Sequence, residues 1–309
     1  MKKKNLFYTF IILMATLFFL TACGKKEEKK EMTITTTFYP MYYFTKEIVG
    51  DKADVIMLDG GKTEIHDYEP SAKDIAQIEN SKLFVYNSND METFVPKLLT
   101  SLPKDHKVEI VEAAKGIPLH KAEAEHHEEH EGEHHHDADP HVWLDPVLAK
   151  KEVKNIYDGV IKVDPKNKDY YEKNYQTLEK KLDQLNQDFA TSMKKCPNKT
   201  FITQHAAFYY LAHQYGLTQE AISGIDSTLE PSPKKLAEIQ KYMQKHDIHT
   251  IFVESGLNPK IAKSIQEATK AKLATLNTLE QVSTKDQKDG IDYFSIMQEN
   301  RKALEKALQ

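Results

Sequence analysis

The sequence predicts an α/β protein of two lobes, each with a mostly parallel sheet flanked by helices, joined by one long rigid connecting helix. Three observations carry this expectation. From residue 32 onward, short runs rich in β-branched residues alternate with helical patterns. The same alternation resumes after residue 198. Between the two lies a stretch whose apolar residues share a single helical face. Strands alternating with helices of this length build right-handed βαβ units and a parallel sheet.

In the first half, Met32–Phe38 reads as a strand and Pro40–Val49 as a helix with proline at its start. Asp54–Leu58 is the next strand. Ser71–Asn80 is a helix, with Ser71 as N-cap and Asp74 three residues on. Leu83–Tyr86 is a strand, Met91–Leu102 a helix and Val108–Val111 a strand. A helix over Val147–Val163 then stops at Asp164-Pro165. From Asp169 to Lys195 the apolar positions are Tyr171, Tyr175, Leu178, Leu182, Leu185, Phe189 and Met193, in steps of 4, 3, 4, 3, 4 and 4. That is a one-sided helix roughly 40 Å long at 1.5 Å per residue. A coiled coil would also give such steps, but compact flanks and a short repeat favour a connector lying on both lobes. Such a connector resists wide closure, so the ligand should be small and its site largely preformed.

The second half reads as strand Thr200–Thr203, helix Ala206–Tyr215 ended by Gly216, strand Glu220–Ser223 and helix Pro233–His246. Strand Ile248–Glu254, helix Pro259–Lys270, strand Leu273–Leu276 and helix Tyr293–Leu308 follow. The expected organisation is a signal peptide over 1–22, a lipidated flexible tether over 23–31 and an N-terminal lobe over 32–146 that includes a His-rich loop at 120–138. Connecting helices over 147–197 and a C-terminal lobe over 198–309 complete it.

The signal reading rests on Lys2, Lys3 and Lys4 before an apolar core from Leu6 to Leu20, short for a membrane span. Leu20-Thr21-Ala22-Cys23 has the form of a bacterial lipobox. Cys23 would then be acylated, with palmitate among the expected modifications, and anchor the chain outside the cytoplasm. The following GKKEEKKE is too charged to pack. Cys196 is then the only other cysteine, so no disulfide framework is expected. Loss of residues 1–22 removes three Lys and no acidic residue, taking the net charge from −5 to −8. With no basic stripe, nucleic acid is not an expected partner. A monomer is expected.

Eight of the fourteen histidines, with eight acidic residues, fall within the 22 positions from His120 to His141. Imidazole is the commonest protein ligand for borderline divalent metals. The run lacks apolar periodicity, so it is neither a buried strand nor a buried helix. It reads as a metal-collecting loop, with His126, His127, His130, His134, His135 and His136 as an accessory low-affinity collector. Composition alone leaves open which metal, and whether the protein transports, senses or catalyses.

Ligands gather beyond the carboxyl ends of strands in open α/β sheets. Four metal-type side chains fall at such places: His66, His141 between two prolines, His205 and Glu280. A lone histidine after a strand is more often a cap or a satisfied polar group. Three imidazoles and one carboxylate together would close a tetrahedral shell around Zn²⁺. Asp67 and Glu69 could orient His66 or only favour the next helix's N-terminus, and Glu254 could orient a ligand or make an interlobe contact. Trp143 reads as packing. His106, His213, His246 and His249 read as surface residues.

HDYEPS at His66, YNSNDMETFVPKLL at Tyr86, DPHVWLDP at Asp139, HAAFYYLAHQYGL at His205 and ESGLNPK at Glu254 carry a resemblance. The chain resembles the substrate-binding lipoproteins of ABC importers of the cluster A-I (cluster 9) family, and within it the zinc-specific, AdcA/ZnuA-like proteins. The resemblance covers essentially the whole mature chain. It implies two lobes on a rigid helix, with His66, His141, His205 and Glu280 holding the metal. It also implies an ABC permease and its ATPase as partners. Ile65 departs from the family's usual proline before the first histidine. Manganese-type relatives place carboxylates at the third and fourth positions, so His205 favours zinc. The alternatives are a manganese or other divalent-metal receptor of the same family, and a surface adhesin. Enzymatic activity is not expected: Glu280 would close the coordination shell, and G-x-S-x-G and nucleotide-binding loops are absent from the sequence.

Overall fold

The computed structural model describes residues 32–61, 64–121, 138–225, 231–254 and 259–309. The expected signal peptide, Cys23, the tether and the six accessory histidines lie outside the described residues.

The first sheet contains β1 (Thr33–Thr36), β2 (Asp54–Met57), β3 (Leu83–Tyr86) and β4 (Glu109–Glu112), in the order β2-β1-β3-β4 and all parallel. Its helices are α1 (Tyr39–Val49), α2 (Ala72–Glu79) and α3 (Val95–Ser101). Ser71 and Asp74 form a reciprocal capping box at the start of α2, as the sequence suggests. α3 begins four residues later than the predicted Met91. The cause is Glu92, whose buried carboxylate accepts the backbone N–H groups of Asn87 and Ser88 and the Thr37 hydroxyl. That folds the chain into a tight loop before it can enter a helix.

α4 (Pro146–Val163) is capped by Asp145, whose side chain accepts the Val147 N–H. Gly159 lets α4 close on β4, since a methyl there would collide with the Val111 side chain. α5 (Lys168–Lys195) is the long connector. All seven apolar positions read from the sequence are buried on its inner face. It packs on α4 and α1 of the first lobe and on the last helix of the second. Each such side chain contributes roughly 1.5–3 kcal/mol by leaving water. Polar ties flank the seam: Asn174 Nδ2 donates to the Ile48 carbonyl at 3.0 Å and Gln298 Nε2 to Asp188 at 2.6 Å. One hydrophobic core runs from Ile34 and Phe44 through Leu182 and Phe189 to Phe252 and Tyr293, so both lobes share packed side chains.

The second sheet repeats the first one's pattern, with β5 (Thr200–Thr203), β6 (Thr218–Ala221), β7 (Thr250–Val253) and β8 (Lys272–Thr275) in the order β6-β5-β7-β8, all parallel. Its helices are α6 (Tyr209–Gln214), α7 (Pro233–His246), α8 (Pro259–Thr269), the short α9 (Thr284–Lys288) and α10 (Tyr293–Ala307). β6 starts two residues before the predicted Glu220. Gly216, at φ 65°, turns the chain directly into the sheet, and the polar Thr218-Gln219-Glu220 hides an edge strand from a hydrophobicity reading. α6 starts three residues after the predicted Ala206. Ala206 N–H donates instead to Gly224 O at 2.9 Å, and Phe208 N–H to Gln219 Oε1 at 3.0 Å. No described helix is long and apolar enough to cross a membrane.

Candidate metal centre

The carboxyl ends of both sheets face one another, and four donor side chains from the intervening loops converge there. His66 and His141 come from the first lobe, His205 and Glu280 from the second. All four are buried, with exposures of 3, 0, 1 and 1 %.

His141 occupies the centre of the cluster. Its Nε2 lies 3.3 Å from His66 Nε2 and 3.3 Å from Glu280 Oε1. The ligand atoms of His66, His141 and Glu280 all lie within 4.8 Å of one another. His205 falls outside that set but adjoins it, with its ring centroid 5.4 Å from that of His141. Four ligands at 2.0–2.1 Å around a tetrahedral ion stand about 3.3–3.4 Å apart. The two 3.3 Å separations therefore match edges of such a shell.

Each of two histidines is oriented by a carboxylate. His141 Nδ1–H donates to Asp139 Oδ1 at 2.8 Å, and the same oxygen accepts the His141 backbone N–H at 3.0 Å. His205 Nδ1 contacts Glu254 Oε1. Holding the proton on Nδ1 leaves Nε2 as a free lone pair aimed at the centre, the usual carboxylate–histidine–metal arrangement. His205 Nε2 is buried with no hydrogen-bond partner, and the buried Glu280 carboxylate faces a second carboxylate, Glu64, beside His141. Such groups cost free energy unless something binds them, and a divalent cation satisfies imidazole and carboxylate donors together.

The electrostatics agree. Burial, then the nearby Glu64 carboxylate, raises the Glu280 pKa well above the carboxylate range. For His205, burial alone would lower the pKa, but the Glu254 and Glu280 carboxylates outweigh it and the net shift is upward. Without a cation, Glu280 tends to hold a proton.

Local structure explains each placement. Gly61, at φ 69°, lets the loop leading to His66 lie against the second lobe, where a methyl would collide with the Val282 carbonyl. Leu279 adopts φ 65°, uncommon for a non-glycine, and its N–H donates to Asn277 Oδ1 at 2.7 Å. That turn places Glu280 inward. Trp143, fully buried, donates from Nε1 to Thr278 O at 2.7 Å, tying the His141 segment to the Glu280 turn. The His205 carbonyl accepts from Thr203 Oγ1 at 2.7 Å and Gln219 Nε2 at 3.0 Å, which holds the chain bent before α6.

Asp67 and Glu69 are exposed, and the N-terminus of α2 is capped by Ser71 and Asp74 rather than by either. His106, His213, His246 and His249 are exposed. Cys196 is buried beside α10, its thiol donating to Ser192 O at 3.4 Å. Sequence reasoning passed over Asp139, Gln219, Leu279 and Glu64, which offers a carboxylate oxygen near those of Glu254 and Glu280. Only Asp139, two residues from a histidine and next to proline, carried a local signal.

Fold and site together define a two-lobed binding protein with a buried, nitrogen-rich cation pocket between the lobes. Comparison with known proteins gives it a family: the chain belongs to the ZnuA family, zinc-uptake complex component A, periplasmic, whose model matches residues 34–307. The high-affinity zinc uptake system protein ZnuA of Bacillus subtilis is 46 % identical over 274 residues, 88 % of this chain and 86 % of that protein. The zinc-binding lipoprotein AdcA of Streptococcus pneumoniae strain R6 is 43 % identical over 271 residues, 86 % of this chain. The match spans only about half of AdcA, 54 % of its length. The crystal structure of the Zn(II)-bound ZnuA-like domain of S. pneumoniae AdcA superposes with a TM-score of 0.77 at 40 % identity, covering 90 % of this chain and 98 % of that one.

Proposed function

We propose that this chain is the extracytoplasmic zinc receptor of an ABC importer, holding Zn²⁺ as cargo between its lobes through His66, His141, His205 and Glu280. The observation that carries the reading is the pair of 3.3 Å contacts at His141 Nε2, beside the buried, unpartnered Nε2 of His205. Three imidazoles and one carboxylate suit zinc better than manganese, which prefers oxygen donors. The family and the named functions of its relatives point the same way. The chain would deliver its ion to a membrane permease driven by an ATPase, tethered by lipid on Cys23, with His126, His127, His130, His134, His135 and His136 as accessory donors. Binding and delivery, not catalysis, is the activity.

Zinc accumulation under zinc starvation tests this. A strain lacking the gene should recover uptake with the wild-type protein and not with His141→Ala. Equal recovery with both would count against the interlobe site as the transport site.

A further inference from the structure

The first-lobe segment that carries His141 is held by the opposite lobe. Tyr210, in α6, is 6 % exposed. Its hydroxyl donates to the Asp139 carbonyl at 2.6 Å and accepts the His120 N–H at 2.8 Å. His120 and Asp139 are themselves joined, the Asp139 N–H donating to His120 O at 2.8 Å, next to the antiparallel bridge between Lys121 and Ala138. Asp139 is the residue whose carboxylate orients His141. The Tyr210 ring packs with Ala114, Ile117 and Val142 of the first lobe. The neighbouring Tyr209 stacks on the His120 ring, with centroids 3.7 Å apart and planes 8° from parallel.

We propose that Tyr210 is an interlobe latch and a positioning residue: its hydroxyl fixes the backbone of Asp139, hence the His141 imidazole, and the ion cannot leave without loosening that bridge. The inference rests on the zinc-receptor reading and deepens it. Two features separate the latch from ordinary packing. The hydroxyl sits within hydrogen-bond reach of both ends of the paired segment, whereas the ring alone accounts for the apolar contact. Its acceptor is the main chain of the residue that orients His141, so a shift of a few tenths of an ångström at Asp139 moves the imidazole.

Tyr210→Phe keeps the ring and removes the hydroxyl. In zinc-loaded protein mixed with excess chelator, this variant should release zinc roughly five- to tenfold faster than wild type. The His141 Nδ1–H proton resonance should shift, since its bond to Asp139 is no longer held in register. A purely structural role would lower thermal stability without moving that resonance. Asp139→Asn should also speed release, and the double variant should be slower than the product of the two effects, because both act through one bond. Release from Tyr210→Phe within twofold of wild type, or simple multiplication in the double variant, would overturn the latch. His141→Ala separates the two levels. If it leaves zinc release unchanged, the site reading fails and the latch with it. If it alters release while Tyr210→Phe does not, only the latch fails.

Discussion

His141 and His205 use the same chemistry by different routes. Each has a carboxylate on Nδ1 and turns Nε2 toward the cluster. His141 draws its carboxylate from Asp139, two residues earlier, and Pro140, Trp143 and the Asp139 backbone contact restrain it as well. His205 draws its carboxylate from Glu254, across the sheet at the end of β7, and its own segment is bent by Gln219 from β6. One donor is preorganised by local sequence. The other depends on the second sheet being assembled. Removing the same chemical support should therefore hurt the two sites unequally.

The largest effect expected is loss of a donor. His141→Ala should weaken zinc binding by more than a hundredfold, since supporting residues alone are worth about 10–100-fold. His205→Ala should weaken it somewhat less, because His205 lies outside the tightest set of donors. Chelator-competition titrations rank the two; the reverse order would break the picture of His141 at the centre. Next comes support. Glu254→Gln should cost about a hundredfold in affinity and Asp139→Asn only about tenfold, because His141 keeps its other restraints. Equal losses would mean that local preorganisation adds nothing.

How far the sequence could be read follows the same division. The buried face of α5 was legible residue by residue, because apolar spacing reports burial directly. Strands β3 and β5 and helix α7 were legible to the residue. The late starts of α3 and α6 were not, since they depend on Glu92 and on Gln219, side chains that collect backbone groups from other segments. At the site, the donors stood out because histidine after a strand is informative. Glu254 was legible as a candidate to orient a ligand from its place at a strand end, but its pairing with His205 rests on packing between distant segments, which no local pattern encodes.

A smaller effect comes from buried carboxylates outside the histidine cluster. In the first lobe, burial raises the pKa of Asp59 and Glu92 to about 7 and of Asp145 to about 6. Between the ordinary carboxylate range near pH 4 and about pH 7, the folded chain holds protons that the unfolded chain has released. Unfolding then releases protons, so stability falls as pH rises through that window. Zinc-free protein should melt several degrees higher near pH 5 than near pH 7.5, and hydrogen exchange should place most of the change in β3 and α4. A melting temperature that rises with pH over that range would contradict these burial effects. Smallest for zinc, though not for folding, is Leu182→Ala on α5. It should cost about 2–5 kcal/mol in denaturant titrations while leaving zinc affinity nearly unchanged. A large affinity loss would mean that the connector transmits strain to the site.

The central claim is that the ion sits among His66, His141, His205 and Glu280. Its most direct test is the zinc content of soluble protein spanning residues 25–309, measured by elemental analysis under chelator competition beside His205→Ala. One tightly held zinc per wild-type chain, weakened in the variant, is the expected result. Tight zinc unaffected by the substitution, or manganese in its place, would contradict the assignment.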